Sequence, residues 1–178
     1  VYKRQGQMIS RKNIFDILDI FENLCKKHNN LRLIFAGDGY QRAELESYAE
    51  KLSSSSKIDF LGYRDDPLVL LQSFDLFVMT STLEGIPRCL MEACAMGIPV
   101  AAYDIPGIDQ IISHEKTGLL ATLGDTETLS LYWEKLLFDN ELATELADNA
   151  RHYVQTHYSA QRMADEYLDL FKHITTNT

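Results

Sequence analysis

Short apolar runs alternate with helix-patterned stretches at least five times along this chain of 178 residues, and few architectures accommodate that rhythm. The clearest unit begins at Leu76-Phe77-Val78-Met79, bounded by Asp75 before it and by hydroxyl residues from Thr80 onward. A continuous apolar run of this length reads as a strand buried on both faces. Further strands are expected at 31–36, 57–61, 99–103 and 117–121. The intervening apolar positions recur at helical spacing: Ile14, Ile17, Leu18, Phe21 and Leu24 in a helix over 12–28, then Leu45, Tyr48, Ala49 and Leu52 in a second. Alternation of this kind argues an α/β fold, a doubly wound parallel sheet (Rossmann-like) with helices on both faces. Ligands in such sheets bind beyond the carboxyl ends of the strands.

The strand at Leu76 runs into Ser81-Thr82-Leu83-Glu84-Gly85-Ile86-Pro87-Arg88-Cys89-Leu90-Met91-Glu92-Ala93. Gly85 permits a tight backbone approach, and Pro87 suits a first helical position, where the missing N–H costs nothing. The amides of Arg88, Cys89 and Leu90 are then expected to be unpaired and to face an anion such as a phosphate, with the helix dipole behind them. Glu84 and Glu92 would repel that phosphate unless they face something else. A carboxylate suits a vicinal diol, so sugar hydroxyls fit: Glu92 for a ribose, Glu84 for a second sugar. The plainer alternative makes Glu84 a loop acid and Glu92 a complement to the helix dipole.

Other loops with site character also follow strands. Gly6-Gln7-Met8-Ile9-Ser10-Arg11-Lys12-Asn13 is the first; its Arg11-Lys12 pair reads either as a phosphate contact or as a solvated first helical turn. Gly37-Asp38-Gly39 turns sharply into the second helix, where Arg42 is a lesser candidate. Gly62-Tyr63-Arg64 precedes Asp65-Asp66-Pro67, which opens a helix with Leu68, Leu71 and Phe74, and Gly107 follows the strand at 99–103. Beyond it a short helix is expected over 108–112. Gly124-Asp125 caps a helix with Leu129, Tyr132, Trp133, Leu136 and Leu137, and helices over 140–157 and 159–174 close the chain. The last carries Met163, Tyr167, Leu170 and Phe171 on one face.

A net charge of −9 argues against an extended nucleic-acid surface. Three cysteines, Cys25, Cys89 and Cys94, with no C-x-x-C, fit a reducing cytosol and read as small core or helix residues. No apolar run approaches the ~20 residues of a membrane span. His28, His114, His152, His157 and His173 lack metal-ligand spacing and read as surface residues. The polar, basic stretch 1–5 is unlike the apolar first strand such a fold should have. It is expected to be a truncated or foreign start, with one domain over 6–178.

Glu84 and Glu92, with Gly and Pro between them and Ala95-Met96-Gly97-Ile98-Pro99-Val100-Ala101-Ala102 after them, resemble the donor-site signature of the retaining GT-B glycosyltransferases of family 4 (group 1). The resemblance covers nearly the whole chain and implies the C-terminal, donor-binding half of a GT-B fold. It implies that Glu84 lies at the donor sugar, that amides of Ile86 to Leu90 hold the diphosphate, and that Glu92 binds the nucleotide ribose. It further implies that Gly6, Gly37 and Gly39 border the phosphates, that Lys12 with Arg11 neutralises them, and that Tyr63 and Arg64 meet the base and pyrophosphate. The family's first loop usually carries Gly-Arg with a Lys five residues after the Arg; here Lys12 is present and Gln7 replaces the Arg. Lys12 and Glu84 are thus the candidate catalytic residues. A nucleotide-diphosphate sugar is the implied substrate, with no metal and no cofactor, in keeping with the absence of an Asp-x-Asp motif. The acceptor-binding N-terminal domain is missing, so this chain is expected to bind donor without transferring by itself. The resemblance places the full-length protein in the cytoplasm, at the inner face of a membrane, building a polysaccharide or glycolipid precursor. Two alternatives remain: a non-catalytic nucleotide-binding or assembly module, for which Gln7 speaks, and a GT-B nucleotide-sugar epimerase.

Overall fold

The computed structural model describes residues 2–176, with side chains from 7 to 175. Six strands form one parallel sheet: β1 (Tyr2–Gln7), β2 (Leu33–Asp38), β3 (Ile58–Gly62), β4 (Phe77–Met79), β5 (Val100–Asp104) and β6 (Leu119–Thr122), in the order β3-β2-β1-β4-β5-β6. That order reverses between β1 and β4, which among the described residues are paired through Tyr2 and Phe77. A crevice opens there beyond the carboxyl ends of the two strands. The doubly wound sheet read from the alternation is therefore present.

The stretch 1–5, set apart on its polarity, lies from Tyr2 onward in β1, the strand paired with both β2 and β4. Backbone groups pair whatever the side chains are, so a polar run can hold a central place. Val1 lies outside the described residues.

The helices are α1 (Ile14–Cys25), α2 (Arg42–Ala49), α3 (Pro67–Leu71), α4 (Arg88–Ala95), α5 (Thr126–Phe138), α6 (Asn140–His157) and α7 (Ala160–Thr176). In α1 the apolar stripe Ile14, Ile17, Leu18, Ile20, Phe21 and Leu24 is fully buried, at about 1.5–3 kcal/mol for each large side chain taken from water. Helix α1 starts two residues later than its apolar period suggests. Ser10–Lys12 forms a 3-10 turn and Asn13 is left-handed, with φ 46°. Asp125 caps α5 as expected, accepting from the Thr128 amide at 2.9 Å. No helix forms over 108–112. Gly107 has φ 93° and its amide donates to Asp109 Oδ1 at 2.8 Å, so the segment closes as successive turns on the carbonyls of Ile105 and Ile108.

Cys94 is buried in the core, and burial pushes its thiol up to about 12, so it is an inert packing residue. His28 is half-buried rather than a surface residue, whereas His114 is exposed as expected. His28 Nε2 lies 2.7 Å from Glu134 Oε1, and His114 Nδ1 accepts the Leu120 amide at 3.0 Å. The apolar residues of α7 stay open to solvent: Met163, Tyr167, Leu168, Leu170, Phe171 and Ile174 are all more than half exposed.

Glu22 ties α1 to the loop before β3. Its carboxylate accepts from the hydroxyls of Ser53 and Ser54, at 2.5 and 2.6 Å, and from both their amides. Burial pushes its pKa up, but these four bonds outweigh it and bring the carboxyl down to about 2. The folded-state value lies below the unfolded one, so the contribution is complete above about pH 4.5 and is lost as pH falls through about 2. The expected result is that Glu22→Gln destabilises the chain at neutral pH and that its deficit shrinks as pH falls through that window. Urea unfolding of both proteins from pH 6 to pH 2 checks it; a deficit independent of pH would place the cost elsewhere.

Candidate functional site

The loops after β1, β4 and β5 meet in the crevice between β1 and β4. Lys12, from the first, forms an ion pair with Glu84, from the second, and their side chains are only 12% and 8% exposed. The two candidate catalytic residues, 72 positions apart, are thus direct partners. A charge pair this enclosed holds both groups in one geometry, because separating them would leave a buried charge uncompensated. Arg11 lies alongside with its side chain exposed, while its carbonyl accepts the Thr82 amide at 2.8 Å.

Helix α4 begins one residue later than the proline suggests. Pro87 has the extended ψ of an N-cap, 114°, and no side chain caps the helix. The Leu90 amide does not face the crevice as an unpaired donor. It donates to the Pro87 carbonyl at 3.0 Å. Ile86 is half exposed, and Cys89 is partly buried.

The tight approach expected of Gly85 is real, but a different glycine makes it possible. A Cβ on Gly85 would meet nothing within 4 Å, whereas one on Gly107 would overlap the Gly85 carbonyl oxygen and lie 3.0 Å from that of Glu84. Gly107 therefore lets the β5 loop press on the backbone that carries Glu84.

The loops after β1 and β2 are locked to each other. Gly6 pairs with Gly37, the Met8 amide donates to the Asp38 carbonyl at 2.8 Å, and the Gln41 amide donates to the Met8 carbonyl at 3.0 Å. Gly37 takes φ 133°, and a Cβ on Gly39 would lie 2.8 Å from the Met8 carbonyl carbon. Tyr40, a residue the sequence did not single out, accepts the Ser10 amide at 3.0 Å on its phenol oxygen. Arg42 is not simply exposed: it binds Glu46 at 2.7 Å, lies 3.7 Å from Asp38 and covers Gly62.

Tyr63 and Arg64 are not brought into the Lys12–Glu84 cluster. Tyr63 is 74% exposed. The Arg64 fork is committed to Asp66 through two bonds of 2.8 and 2.7 Å, which hold the Asp66 carboxyl below its ordinary range. Glu92 sits on the second turn of α4, 22% exposed and 3.7 Å from Arg88. It lines a cleft of about 920 Å³ with Ile86, Met91, Tyr158, Arg162 and Met163, between α4 and the junction of α6 with α7.

Sequence reasoning missed the residues beneath the cluster. Thr80 is fully buried, and its hydroxyl reaches the Lys12 and Asn13 carbonyls at 3.0 and 2.8 Å. The Asn13 side-chain amide donates to Asp16 at 2.6 Å, and Asp16 accepts the Tyr103 hydroxyl at 2.5 Å. Burial first, and then this bond, push the Tyr103 phenol up, so it remains a donor. The run Thr80-Ser81-Thr82 at a strand end was the available signal.

A parallel sheet in this order, with an enclosed Lys–Glu pair and a helix N-terminus at its switch point, defines a Rossmann-like domain of the GT-B type. The sequence model of the glycosyl transferases group 1 family matches residues 5–153, and the chain belongs to that family. The lipopolysaccharide core biosynthesis glycosyltransferase LpsE of Rhizobium meliloti is 28% identical over 170 residues, covering 96% of this chain and 49% of that protein. A TarM mutant from S. aureus, crystallised with fondaparinux, alpha-GlcNAc-glycerol and UDP, superposes with a TM-score of 0.89 at 26% identity, over 96% of this chain and 35% of that one. The C-terminal domain of a group 1 glycosyl transferase from Francisella tularensis shares the fold, with a TM-score of 0.78 at 22% identity, over 87% of this chain and 84% of that domain. The chain spans about half the length, or less, of the curated relatives it matches.

Proposed function

We propose that this chain is the donor-binding half of a retaining glycosyltransferase of family 4, taking a sugar from a nucleotide-diphosphate sugar without a metal or cofactor. The observation that carries the reading is the Lys12–Glu84 pair at the switch point, beside the N-terminus of α4. A pyrophosphate leaving group departs with an electron pair and grows in negative charge. An amine already fixed in an enclosed site, with the helix dipole next to it, stabilises that charge with little reorganisation. Glu84 holds the amine and would turn an oxygen to the donor sugar once phosphate shares the amine. Glu92 would take the ribose hydroxyls. That TarM was crystallised with UDP supports a nucleoside diphosphate as the ligand class.

The acceptor pocket would come from a further domain, so this chain binds donor without transferring by itself. On the resemblance, and in line with the name of LpsE, the acceptor is a polysaccharide or glycolipid precursor handled at the cytoplasmic face of a membrane. Among the described residues, no helix is long and apolar enough to cross one.

Calorimetric titration of the chain with UDP, GDP and ADP, in metal-free buffer, tests the reading. One nucleotide is expected to bind selectively, and Glu92→Ala to weaken it by about 1.5–3 kcal/mol, the scale of a hydrogen bond to a charged group. A folded chain that binds none of the three would overturn it.

A further inference from the structure

The backbone beneath Lys12 is held by a device that the strand ladder does not need. Strand β4 ends at Met79, yet the next residue, Thr80, is fully buried and aims its hydroxyl at the Lys12 and Asn13 carbonyls, 3.0 and 2.8 Å away. Two residues on, the Thr82 amide and hydroxyl meet the Arg11 carbonyl at 2.8 and 3.3 Å. Three consecutive carbonyls, those of Arg11, Lys12 and Asn13, are thus gathered onto the exit of β4. The turn they stabilise places Asn13 in the left-handed region, with φ 46°, which asparagine adopts more readily than most residues. From the other side, the Asn13 side chain is held by Asp16, which in turn accepts from Tyr103 on β5.

We infer that Thr80 is a positioning residue for the Lys12 amine: its hydroxyl fixes the Arg11–Asn13 backbone so that Lys12 reaches Glu84 and, on the function proposed above, the donor diphosphate. Thr80 acts through the peptides on either side of Asn13, whose carbonyls its hydroxyl meets. Thr80 and Thr82 lead directly to Glu84, so one short segment sets the anchor of the amine and the place of its partner.

Two measurements test this. The first compares UDP with UMP, which lacks the second phosphate of the diphosphate that Lys12 would neutralise on the function proposed above. Thr80→Val, of the same shape but without the donor, is expected to lower the preference for UDP over UMP about tenfold, the factor of one charge-assisted contact. Thr80→Ser should restore it, and in a Lys12→Met background Thr80→Val should leave it unchanged. Equal losses for UDP and UMP, or the same loss in the Lys12→Met background, would mean that Thr80 is merely structural. The second measurement needs no nucleotide: competitive acetylation of Lys12 by acetic anhydride, read by peptide mass spectrometry. Labelling should accelerate severalfold in Thr80→Val and return to the parent rate in Thr80→Ser; an unchanged rate overturns the inference. If the parent chain binds neither nucleotide, the donor reading falls and the labelling alone decides the role of Thr80. Should Thr80→Val not fold, Thr80→Cys, close in size and a weak donor, takes its place with the same outcomes.

Discussion

Lys12→Met is expected to destabilise the chain by about 3–5 kcal/mol, the cost of leaving an enclosed carboxylate without its cation. The cost arises because Glu84 is 8% exposed and cannot recover the lost interaction from water. Glu84→Leu should cost a comparable amount by stranding the ammonium. The double variant Lys12→Met/Glu84→Leu should recover most of the loss, since an apolar pair in a closed site needs no compensation. Urea midpoints of the four proteins give the coupling directly. Additive losses would mean that the pair is solvated and that its geometry is not prearranged. Recovery of stability is not expected to bring recovery of nucleoside-diphosphate binding, which needs the amine itself.

Gly107→Ala should cost about 2–4 kcal/mol, combining a left-handed backbone closed to side chains with overlap against backbone that cannot step aside. Its φ is 93°, and its new Cβ would overlap the Gly85 carbonyl oxygen and come within 2.8 Å of the carbonyl carbon. Gly124 provides the control, with φ 83° but nothing within 4 Å of the added atom. Gly124→Ala pays only the backbone cost, about 1 kcal/mol. Equal losses at the two glycines would show that the β5 loop moves freely off the Glu84 segment. A larger loss at Gly107, with weakened UDP binding, would tie the packing of that loop to the site.

Much of the chain's organisation was legible locally. The apolar runs around Phe35, Phe77 and Ala101 marked buried strands, and the period of Ile14, Ile17, Phe21 and Leu24 marked a helix with one buried face. Asp125 announced its cap, and Glu84 and Glu92 with the glycine and proline between them marked the loop at which α4 begins. These signals are carried by neighbours in sequence, because burial period and turn chemistry act over a few residues. Where the apolar period failed as a guide, turn chemistry or backbone pairing overrode it. The loop over 108–112 carries a helical apolar pattern, but Gly107 and Asp109 close it as turns. The polar stretch after Val1 carries no strand pattern, yet its backbone pairs with two neighbours.

The sequence by itself determined the class of fold, the end of the sheet at which the candidate loops lie, and the residue types offered there. Only the tertiary structure decided which of those residues meet. Lys12 joins Glu84, Thr80 holds the Lys12 backbone, and Gly107 presses on Gly85, while Tyr63 stays exposed and Arg64 spends its charge on Asp66. The physical reason is that strand–helix alternation sets how strands are covered but not their order across the sheet. It is the reversal between β1 and β4 that brings loops 72 residues apart into one crevice.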